Sequence, residues 1–335
     1  MTEKAFLELP DDERLKILNA MSAELGRGAD ILEKDVWVCW ALEHLWAARG
    51  DVRMAFKGGT SLSKAYRAIE RFSEDIDVTI DYRSLCPELN PFAKGVSRTK
   101  LKKAGERLKE RVGARVRDTI VPRLQAALDT SGSGTHVEAS DDGESVRIYY
   151  RSVSGGPGGY IADSVLLEFG GRNTTEPNVI HALTPDLAQK VPKLRFPSPK
   201  VNVLCAKRTF WEKATMMHAE SNRERLRENA NRLSRHWYDV YVLSDHHVGK
   251  QALADRALLE DVIRHKEVFF HASYASYEAC LEGCMRLLPE AEGCRALARD
   301  YEEMQKAGMF YGASPTFDRI VERITELQTT INAGG

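Results

Sequence analysis

Apolar residues recur at helical spacing through residues 11–25 and again through residues 31–48. Each stretch begins at polar or acidic residues, and a glycine (Gly26, Gly50) stands just past its end. Such spacing with a terminal glycine is typical of amphipathic helices. The sequence therefore predicts two helices before any other element.

A different pattern follows at residues 53–80. Residues 53–56 are predicted as a short extended segment, the glycine turn Lys57-Gly58-Gly59-Thr60 comes next, and residues 61–71 have helical spacing. Residues 76–80 alternate apolar with polar side chains, as a strand with one covered face does. The predicted order is strand, glycine turn, helix and strand.

The remaining elements suggest a chain of two parts. We expect a charged helix over residues 99–128 and strands over residues 136–139, 145–151 and 161–169, the last preceded by a glycine-rich loop at 155–159. Prolines mark residues 192–199 as a linker. Beyond it, helices are predicted over residues 210–220, 233–244, 253–265, 274–288 and 317–331. We predict an α+β fold, with a mixed-sheet domain over 1–199 and an α-helical bundle over 200–335.

Composition indicates an ordinary globular protein. The 335 residues are 43% hydrophobic and 29% charged, with a formal net charge of −1. The six cysteines contain no CxxC pair, and no apolar stretch approaches the roughly 18 residues that a membrane helix needs. We expect a cytoplasmic protein with reduced thiols and no membrane partner.

The near-neutral charge gives no general sign of a nucleic-acid partner, so local basic stretches have to supply one. Lysine and arginine outnumber acids over residues 94–123 and again over 222–235. Each stretch is either a surface for a phosphate backbone or a solvated helix face.

Two carboxylates stand at the start of the second predicted strand. Residues two apart in a strand point to the same face, so Asp75 and Asp77 are expected side by side. Paired carboxylates bind hard divalent cations, which bridge the phosphates of a nucleotide. Alone, such a pair also occurs by chance on surface strands.

The upstream turn strengthens the nucleotide interpretation. Lys57, Gly58, Gly59, Thr60 and Ser61 lie between a predicted strand and a predicted helix, where exposed backbone N–H groups favour phosphate. An ordinary tight turn would explain the glycines if the carboxylates did not follow so closely.

A third acid, Glu168, lies within the otherwise apolar run Val165-Leu166-Leu167 and Phe169. A buried, unpaired carboxylate is costly. Glu168 is therefore expected either to join the metal site from a neighbouring strand or to pair with a base such as Arg172.

Two charged residues in the helical part also need partners. Lys213 follows an aromatic pair, and Asp239 lies in the apolar run from His236 to Leu243. They either form a structural salt bridge between two helices, or Lys213 offsets charge on phosphates while Asp239 holds it in place.

Six motifs of the chain carry a family resemblance. They are Glu33-Lys34-Asp35-Val36-Trp37-Val38, Phe56-Lys57-Gly58-Gly59-Thr60-Ser61-Leu62-Ser63-Lys64-Ala65-Tyr66, Arg71-Phe72-Ser73-Glu74-Asp75-Ile76-Asp77, Leu167-Glu168-Phe169-Gly170, Arg208-Thr209-Phe210-Trp211-Glu212-Lys213-Ala214-Thr215 and Ser234-Arg235-His236-Trp237-Tyr238-Asp239-Val240-Tyr241. Together they resemble the AbiEii/AbiGii toxins, the nucleotidyltransferase-like toxins of bacterial toxin–antitoxin and phage-abortive-infection systems.

The resemblance implies a DNA-polymerase-β-like nucleotidyltransferase domain that uses an NTP with Mg²⁺, or Mn²⁺ in its place. By position, Asp75 and Asp77 look like the metal ligands, Gly58, Gly59 and Thr60 like the phosphate loop, and Ser73 like the serine beside the metal. Lys213 and Asp239 look like the family's later essential pair. The loop reads Gly-Gly-Thr-Ser where the wider superfamily often has Gly-Ser, which leaves open the hydroxyl that meets phosphate.

The resemblance also implies an acceptor and partners. We expect a toxin that transfers a nucleoside monophosphate to RNA, at the tRNA 3′ end, and that a cognate antitoxin inhibits. Two alternatives stay open: a transferase acting on a small molecule or a protein hydroxyl, and a nucleotide-binding regulator without catalysis.

Overall fold

The structure is a computed structural model that describes residues 4–73, 75–132, 134–155, 164–224, 226 and 232–334. Most of the predicted glycine-rich loop, the first three residues of the strand predicted over 161–169, and Arg225 and Arg227 of the second basic stretch lie outside these residues.

The chain forms two compact units, and each consists of three stretches. The first comprises Met1–Ala65, Phe72–Leu89 and Lys103–Leu204, and the second comprises Tyr66–Arg71, Asn90–Lys102 and Cys205–Gly335. The predicted division into 1–199 and 200–335 has a single boundary, whereas two short early segments group here with the later residues.

Seven strands in the described residues form one mixed sheet in the first unit. They are β1 (Met54–Lys57), β2 (Ile76–Asp81), β3 (Gly134–Ala139), β4 (Ser145–Tyr150), β5 (Ser164–Asn173), β6 (Asn178–Ala182) and β7 (Lys200–Leu204). Their order is β3-β4-β5-β2-β1-β7-β6, with β2 parallel to β5, β1 parallel to β7 and the other pairs antiparallel. The predicted mixed sheet is confirmed.

Strand β2 lies at the centre of the sheet because its apolar residues are covered. Ile76, Val78 and Ile80 are buried, and Val78 pairs with Phe56 of β1 on one side and Phe169 of β5 on the other. Alternation leaves Asp77 half-buried on the opposite face. The central strand therefore presents its carboxylate away from the core.

The helices of the described chain are α1 (Asp11–Leu25), α2 (Ala29–Ala48), α3 (Gly58–Lys64), α4 (Tyr82–Leu85), α5 (Arg98–Arg115), α6 (Val121–Ser131), α7 (Ala206–Ser221), α8 (Arg235–Asp245), α9 (His247–Leu253), α10 (Arg256–Phe269), α11 (Ala291–Lys306) and α12 (Phe317–Ala333). A π-helical stretch, Val116–Ile120, joins α5 to α6, and short 3₁₀ turns occur at Phe6–Glu8, Asp186–Gln189 and Tyr277–Cys280. Helix α2, the most buried helix of the first unit, contacts β5 and β7.

Several predicted boundaries are corrected by the structure. Helix α3 ends at Lys64 rather than at residue 71, and the segment predicted as a linker leads directly into β7, an inner strand of the sheet. The helix predicted over 274–288 is instead a 3₁₀ turn followed by turns, and α11 was not predicted. No helix in the described part of the chain is both long and apolar enough to span a membrane.

Candidate active site

A row of polar residues crosses the sheet in the first unit. Asp77 of β2 stands opposite Lys57 of β1 and Glu168 of β5, and Glu168 stands opposite Ser145 of β4. Residues paired in this way share a face of the sheet. The fold therefore brings Lys57, Asp77 and Glu168, all predicted site residues, onto one face.

Glu168 is exposed, contrary to the reasoning from sequence. Its neighbours Leu167 and Phe169 are buried, and alternation turns Glu168 to the open face. The apolar run therefore imposes no burial cost on the carboxylate. Its exposure also leaves it accessible to a cation.

Gly58 is fitted closely to Asp77. Its φ of 78° lies in the left-handed region, and a Cβ at this position would come within 1.9 Å of Asp77 Oδ2. Only glycine takes this conformation at no steric cost, and a side chain here would displace the carboxylate. The first glycine of the predicted phosphate loop is thus a structural requirement of the carboxylate row.

Thr60 links the loop to the start of β2. Its hydroxyl donates to the backbone oxygen of Asp75 and lies 2.9 Å from the hydroxyl of Ser73 in a second hydrogen bond. Thr60 is buried. These two bonds fix Ser73 and Asp75 relative to α3, so the predicted residues 60, 73 and 75 form one hydrogen-bonded group.

The Ser61 side chain has a local role. It is fully buried, and its hydroxyl donates to the backbone oxygen of Gly58 at 2.9 Å. Ser63, half-buried, donates to the backbone oxygen of Thr60. The hydroxyls of Thr60 and Ser61 therefore stabilise the loop, and a phosphate contact from either would have to come from its backbone.

A complete metal site is not assembled. Among the described residues, no three His, Cys, Asp or Glu side chains are grouped in a way that could hold a metal ion. Asp77 and Glu168 are ladder neighbours, and Asp75 directly precedes β2. Metal binding by Asp75, Asp77 and Glu168 stays a prediction.

Charged residues of α2 position the loop helix, and these were not predicted as site residues. Lys64, the last residue of α3, is bonded to Asp35 of α2, which also accepts from the backbone N–H of Asp186 at 2.7 Å. Glu33, buried on the same helix, accepts from Ser152 and Ser154. In the sequence, the charged run Glu33-Lys34-Asp35 inside an otherwise apolar helix was the signal that could have identified these residues.

Lys213 and Asp239 meet in the second unit. Lys213 Nζ on α7 lies 3.0 Å from Asp239 Oδ2 on α8 and 3.1 Å from His236 Nδ1. Both members of the pair are buried. The predicted contact between these two helices is observed, and a role in catalysis stays a prediction.

Arg71 completes this buried cluster and was missed from sequence. Its Nε and Nη2 donate to the two oxygens of Asp239 at 2.7 and 2.8 Å. Arg71 is 1% exposed, and the two-pronged contact with this carboxylate is a charge-assisted one. An arginine between the apolar residues Ala68, Ile69 and Phe72 was the only local signal.

Charge and burial oppose each other in the cluster. Burial lowers the pKa of the Lys213 ammonium, Asp239 acts to raise it, and the charge of Arg71 lowers it further. Burial alone would raise the pKa of the Asp239 carboxyl, but Arg71 and Lys213 together hold it below its ordinary value. Asp239 is therefore an anion shared by two cations.

Comparison with known proteins decides the family. A family model described as nucleotidyl transferase AbiEii toxin, type IV TA system, matches residues 40–323. The chain belongs to this family. The AbiEii assignment confirms the resemblance and makes the protein a nucleotidyltransferase toxin of a type IV toxin–antitoxin system, with a nucleotide substrate and a cognate antitoxin.

A solved structure supports the fold of this AbiEii chain. This chain is similar in structure to MenT4, a nucleotidyltransferase toxin from Mycobacterium tuberculosis H37Rv. The two share 18% sequence identity and a TM-score of 0.53, and the match covers 97% of this chain and 90% of that chain. At this identity the similarity concerns the fold alone. No curated protein matches the chain.

Several side chains in the first basic stretch of the AbiEii chain have partners within the protein. Arg107 lies 2.7 Å from Glu88, Lys109 lies 3.0 Å from Glu144, and Arg111 donates to the backbone oxygen of Leu85. Arg115 and Arg117 likewise donate to backbone oxygens. The lysines of this stretch are exposed, including the ion-paired Lys109; they are Lys94, Lys100, Lys102, Lys103 and Lys109.

A cavity of about 340 Å³ also lies in the first unit. Trp40, His44, Arg195 and Phe196 line part of it. None of its described lining residues belongs to the predicted site. The carboxylate row therefore lies on the face of the sheet and not in this cavity.

Proposed function

We propose that this AbiEii toxin transfers a nucleoside monophosphate from an NTP to an RNA acceptor, the 3′ end of tRNA, and so blocks translation. The observation that carries the proposal is the approach of Asp77 to Gly58. A carboxylate at the backbone of a glycine turn puts a metal ligand beside N–H groups that suit phosphate. Nucleotide transfer requires both together.

The donor set fits a hard divalent cation. Asp77 is half-buried, Glu168 is exposed, and both offer the carboxylate oxygens that Mg²⁺ or Mn²⁺ prefers. Asp75, Asp77 and Glu168 would hold the ion. When bound, it would polarise the phosphates and stabilise the leaving pyrophosphate.

The protein residues then act on the nucleotide. Lys57 and the backbone of Gly58, Gly59 and Thr60 would orient the triphosphate, with the Ser61 hydroxyl holding the loop and Ser73 beside it. The acceptor hydroxyl attacks the α-phosphorus, a new O–P bond forms, and the bond to the β-phosphate oxygen breaks. Pyrophosphate leaves with the bridging oxygen, and the proton of the acceptor hydroxyl passes to solvent.

Lys213 and Asp239 contribute from the later helices in this proposal. The ammonium of Lys213 would offset charge that develops on the phosphates, and Asp239 would hold it. The proposal includes a DNA-polymerase-β-like catalytic domain and an α-helical domain that supplies this pair. The mixed sheet around β2 and the fold similarity to a solved nucleotidyltransferase toxin support it.

A second candidate acceptor is a small molecule or a protein hydroxyl. The ion pairs of Arg107 and Lys109 on α5 favour it, because each places an acid beside a cation that an RNA backbone would otherwise contact. The transfer chemistry at Asp77 would be the same.

Incubation of the protein with each α-³²P-labelled NTP, Mg²⁺ and total tRNA, followed by a denaturing gel, tests the proposal. Label on tRNA with one NTP, absent with Asp77→Asn, is expected. Label on another class of molecule would favour the second candidate. A parallel incubation with host lysate in place of tRNA covers other acceptors, and no label on tRNA or on any lysate fraction would contradict transfer.

A further inference from the structure

The segment Asn90–Lys102 belongs to the second unit, and all its charged side chains are cations. Phe92 anchors the segment on α10, because its ring packs edge-on against His265 and Phe269, with ring centroids 4.9 and 6.3 Å apart. The part of the first basic stretch that lies in this unit is therefore held beside α10. Its cations are Lys94, Arg98, Lys100 and Lys102.

Arg98 joins the start of α5 to the end of α10. Its guanidinium donates to the backbone oxygen of Glu267 at 2.7 Å and to the Glu267 carboxylate at 3.0 Å. Lys102 follows Arg98 by four residues, so the two share a face of α5. No ion pair of Lys94, Lys100 or Lys102 occurs in the described part of the chain, and all three are exposed. The segment therefore presents unpaired positive charge next to α10.

Two aromatic side chains are exposed just beyond α10. Phe270 is 39% exposed and Tyr274 is 37% exposed. Lys266 Nζ lies 5.0 Å from the centre of the Phe270 ring, and the Arg223 guanidinium lies 4.3 Å from the centre of the Tyr274 ring. Four residues of chain separate the rings, so their Cα atoms are at most about 14 Å apart. Exposed rings and arginine planes are groups on which unpaired bases stack.

In the ion pairs of this region, the acid is the more buried member. Glu267 is 17% exposed whereas Arg98 is 57% exposed, and the two lie 3.0 Å apart. Glu220 is 4% exposed whereas its partner Arg223 is 33% exposed. The side of each pair that faces solvent is therefore positive, and it can attract a phosphate without breaking the pair.

We propose that this region is an RNA-binding surface, on which unpaired bases stack against Phe270 and Tyr274 while neighbouring cations contact the phosphates. The inference rests on the proposed function, because it takes RNA as the partner of the toxin. Exposed acids, Glu260 and Glu278, flank the region in sequence, so the surface suits a short unpaired segment rather than a long strand. The aromatic–basic surface comprises Arg98, Lys102, Arg223, Lys266, Phe270 and Tyr274.

Fluorescence anisotropy with a fluorescein-labelled, unstructured RNA decamer, in the absence of NTP, tests the aromatic–basic surface apart from any catalytic step. Phe270→Ala and Tyr274→Ala should each weaken binding about tenfold, which is the effect of losing one stacked base. Phe270→Trp and Tyr274→Phe keep an aromatic ring and should bind within about twofold of wild type. An RNA duplex of the same length should bind more weakly than the decamer, because its bases are already paired.

The salt dependence of the same binding tests the positive charge. Lys102→Met should reduce the slope of log affinity against log salt by about 0.7, the share of one phosphate contact on a single strand. Lys306→Met removes an exposed lysine of α11 and should leave the slope unchanged.

A matched control separates stacking from a general loss of exposed apolar surface. Ile180 on β6 of the first unit is 66% exposed, and Ile180→Ala should bind the decamer as wild type does. Thermal melts of all variants accompany the binding measurements, and the exposed positions should leave the melting temperature near that of wild type.

Weak binding in both alanine variants, with binding retained in Phe270→Trp, Tyr274→Phe and Ile180→Ala, supports the proposal. Undiminished binding in the alanine variants, an equal loss in Ile180→Ala, or a wild type that does not bind the decamer overturns it. Those results leave the proposed function standing if the wild type labels tRNA. A wild type that binds the decamer through these rings but labels no acceptor overturns the proposed function and leaves the surface in place.

Discussion

The carboxylate of Asp77 occupies the space that a side chain at Gly58 would fill. The built Cβ would meet Asp77 Oδ2 at 1.9 Å and Asp77 Cγ at 2.8 Å. The glycine loop and strand β2 therefore fit closely together at this point. Lys57, the residue before Gly58, is the β1 partner of Asp77 in the antiparallel ladder. A change on either side of this contact should be felt in nucleotide transfer before it is felt in stability.

Gly58→Ala should displace the Asp77 carboxylate and lower the transfer rate by about a hundredfold, because misplacement of about 1 Å has effects of that size. The matched control is Gly26→Ala, with a similar φ of 63° and no atom within 4 Å of the added Cβ. Both should lose about 1–2 kcal/mol of stability to backbone strain. Equal transfer rates in the two variants would refute the close fit.

Asp77→Asn should reduce transfer to background while the melting temperature stays near that of wild type, since the side chain is half-buried and isosteric. Labelled-NTP transfer and a thermal melt measure the two effects. Asp12→Asn, at an exposed ion pair on α1, is the control and should retain full activity. An undiminished rate in Asp77→Asn would remove the metal assignment.

Glu168→Gln tests the third proposed ligand. If Glu168 binds the cation, the Mg²⁺ concentration for half-maximal transfer should rise about tenfold or more, without loss of stability because the side chain is exposed. Glu138→Gln, an exposed glutamate of β3, is the matched control. An unchanged Mg²⁺ titration would leave Asp75 and Asp77 as the proposed ligands.

Lys213 and Asp239 should determine the pH at which the transfer rate falls on the alkaline side of its pH profile. If Lys213 acts as a cation, transfer is lost as pH rises through its pKa, which burial holds below the usual 10.5. Asp239 raises that pKa, so Asp239→Asn should move the limb to lower pH. Asp255→Asn, which removes the partner of Lys207, should leave the profile in place. If wild type and Asp239→Asn lose activity at the same alkaline pH, a charged Lys213 does not take part in the reaction.

Asp81 at the end of β2 should be a stability residue. It is fully buried and accepts from the backbone N–H and guanidinium of Arg83. Burial acts to raise the pKa of its carboxyl, but the hydrogen bond from Arg83 and the other partners hold it below 3.8. Asp81→Asn should therefore cost about 1–3 kcal/mol near neutral pH.

The acid dependence of that loss has a definite sign. The pKa of Asp81 is lowered in the folded protein. The stability that its carboxylate contributes is therefore present above the ordinary pKa of 3.8 and is lost as pH falls through the lower, folded-state pKa. Urea unfolding from about pH 7 to about pH 3 should show wild type and Asp81→Asn converging toward acid. A constant gap would contradict an ionised, buried Asp81.

Local sequence patterns were sufficient to predict the position of a residue where its surroundings come from its own strand or turn. The alternation through Ile76, Val78 and Ile80 placed Asp77 correctly, and the glycines marked the turn. Strand β6 was missed because Val179 and Ile180, on an edge strand, are both exposed and show no alternation. The prediction of a helix over 274–288 did not take account of Gly283, which has a φ of 73° in the structure.

The arginine that pairs with Asp239 could not be predicted. Asp239 pairs with Arg71 across 168 residues, and no periodicity reports such a contact. The exposure of Glu168 depends on the strand's place in the sheet rather than on its composition. Long-range pairing of buried charges is therefore where structure added most to the site.

The assignment of Tyr66–Arg71 to the second unit limits how the protein can be divided. Arg71 is held by Asp239, and Glu70 accepts from the backbone N–H of Tyr311 at 3.0 Å. A fragment ending at Leu204 would keep the whole sheet but leave a buried-type arginine without its anion. Expression of this fragment alone should therefore give an unstable product, although all the strands in the described residues are present in it.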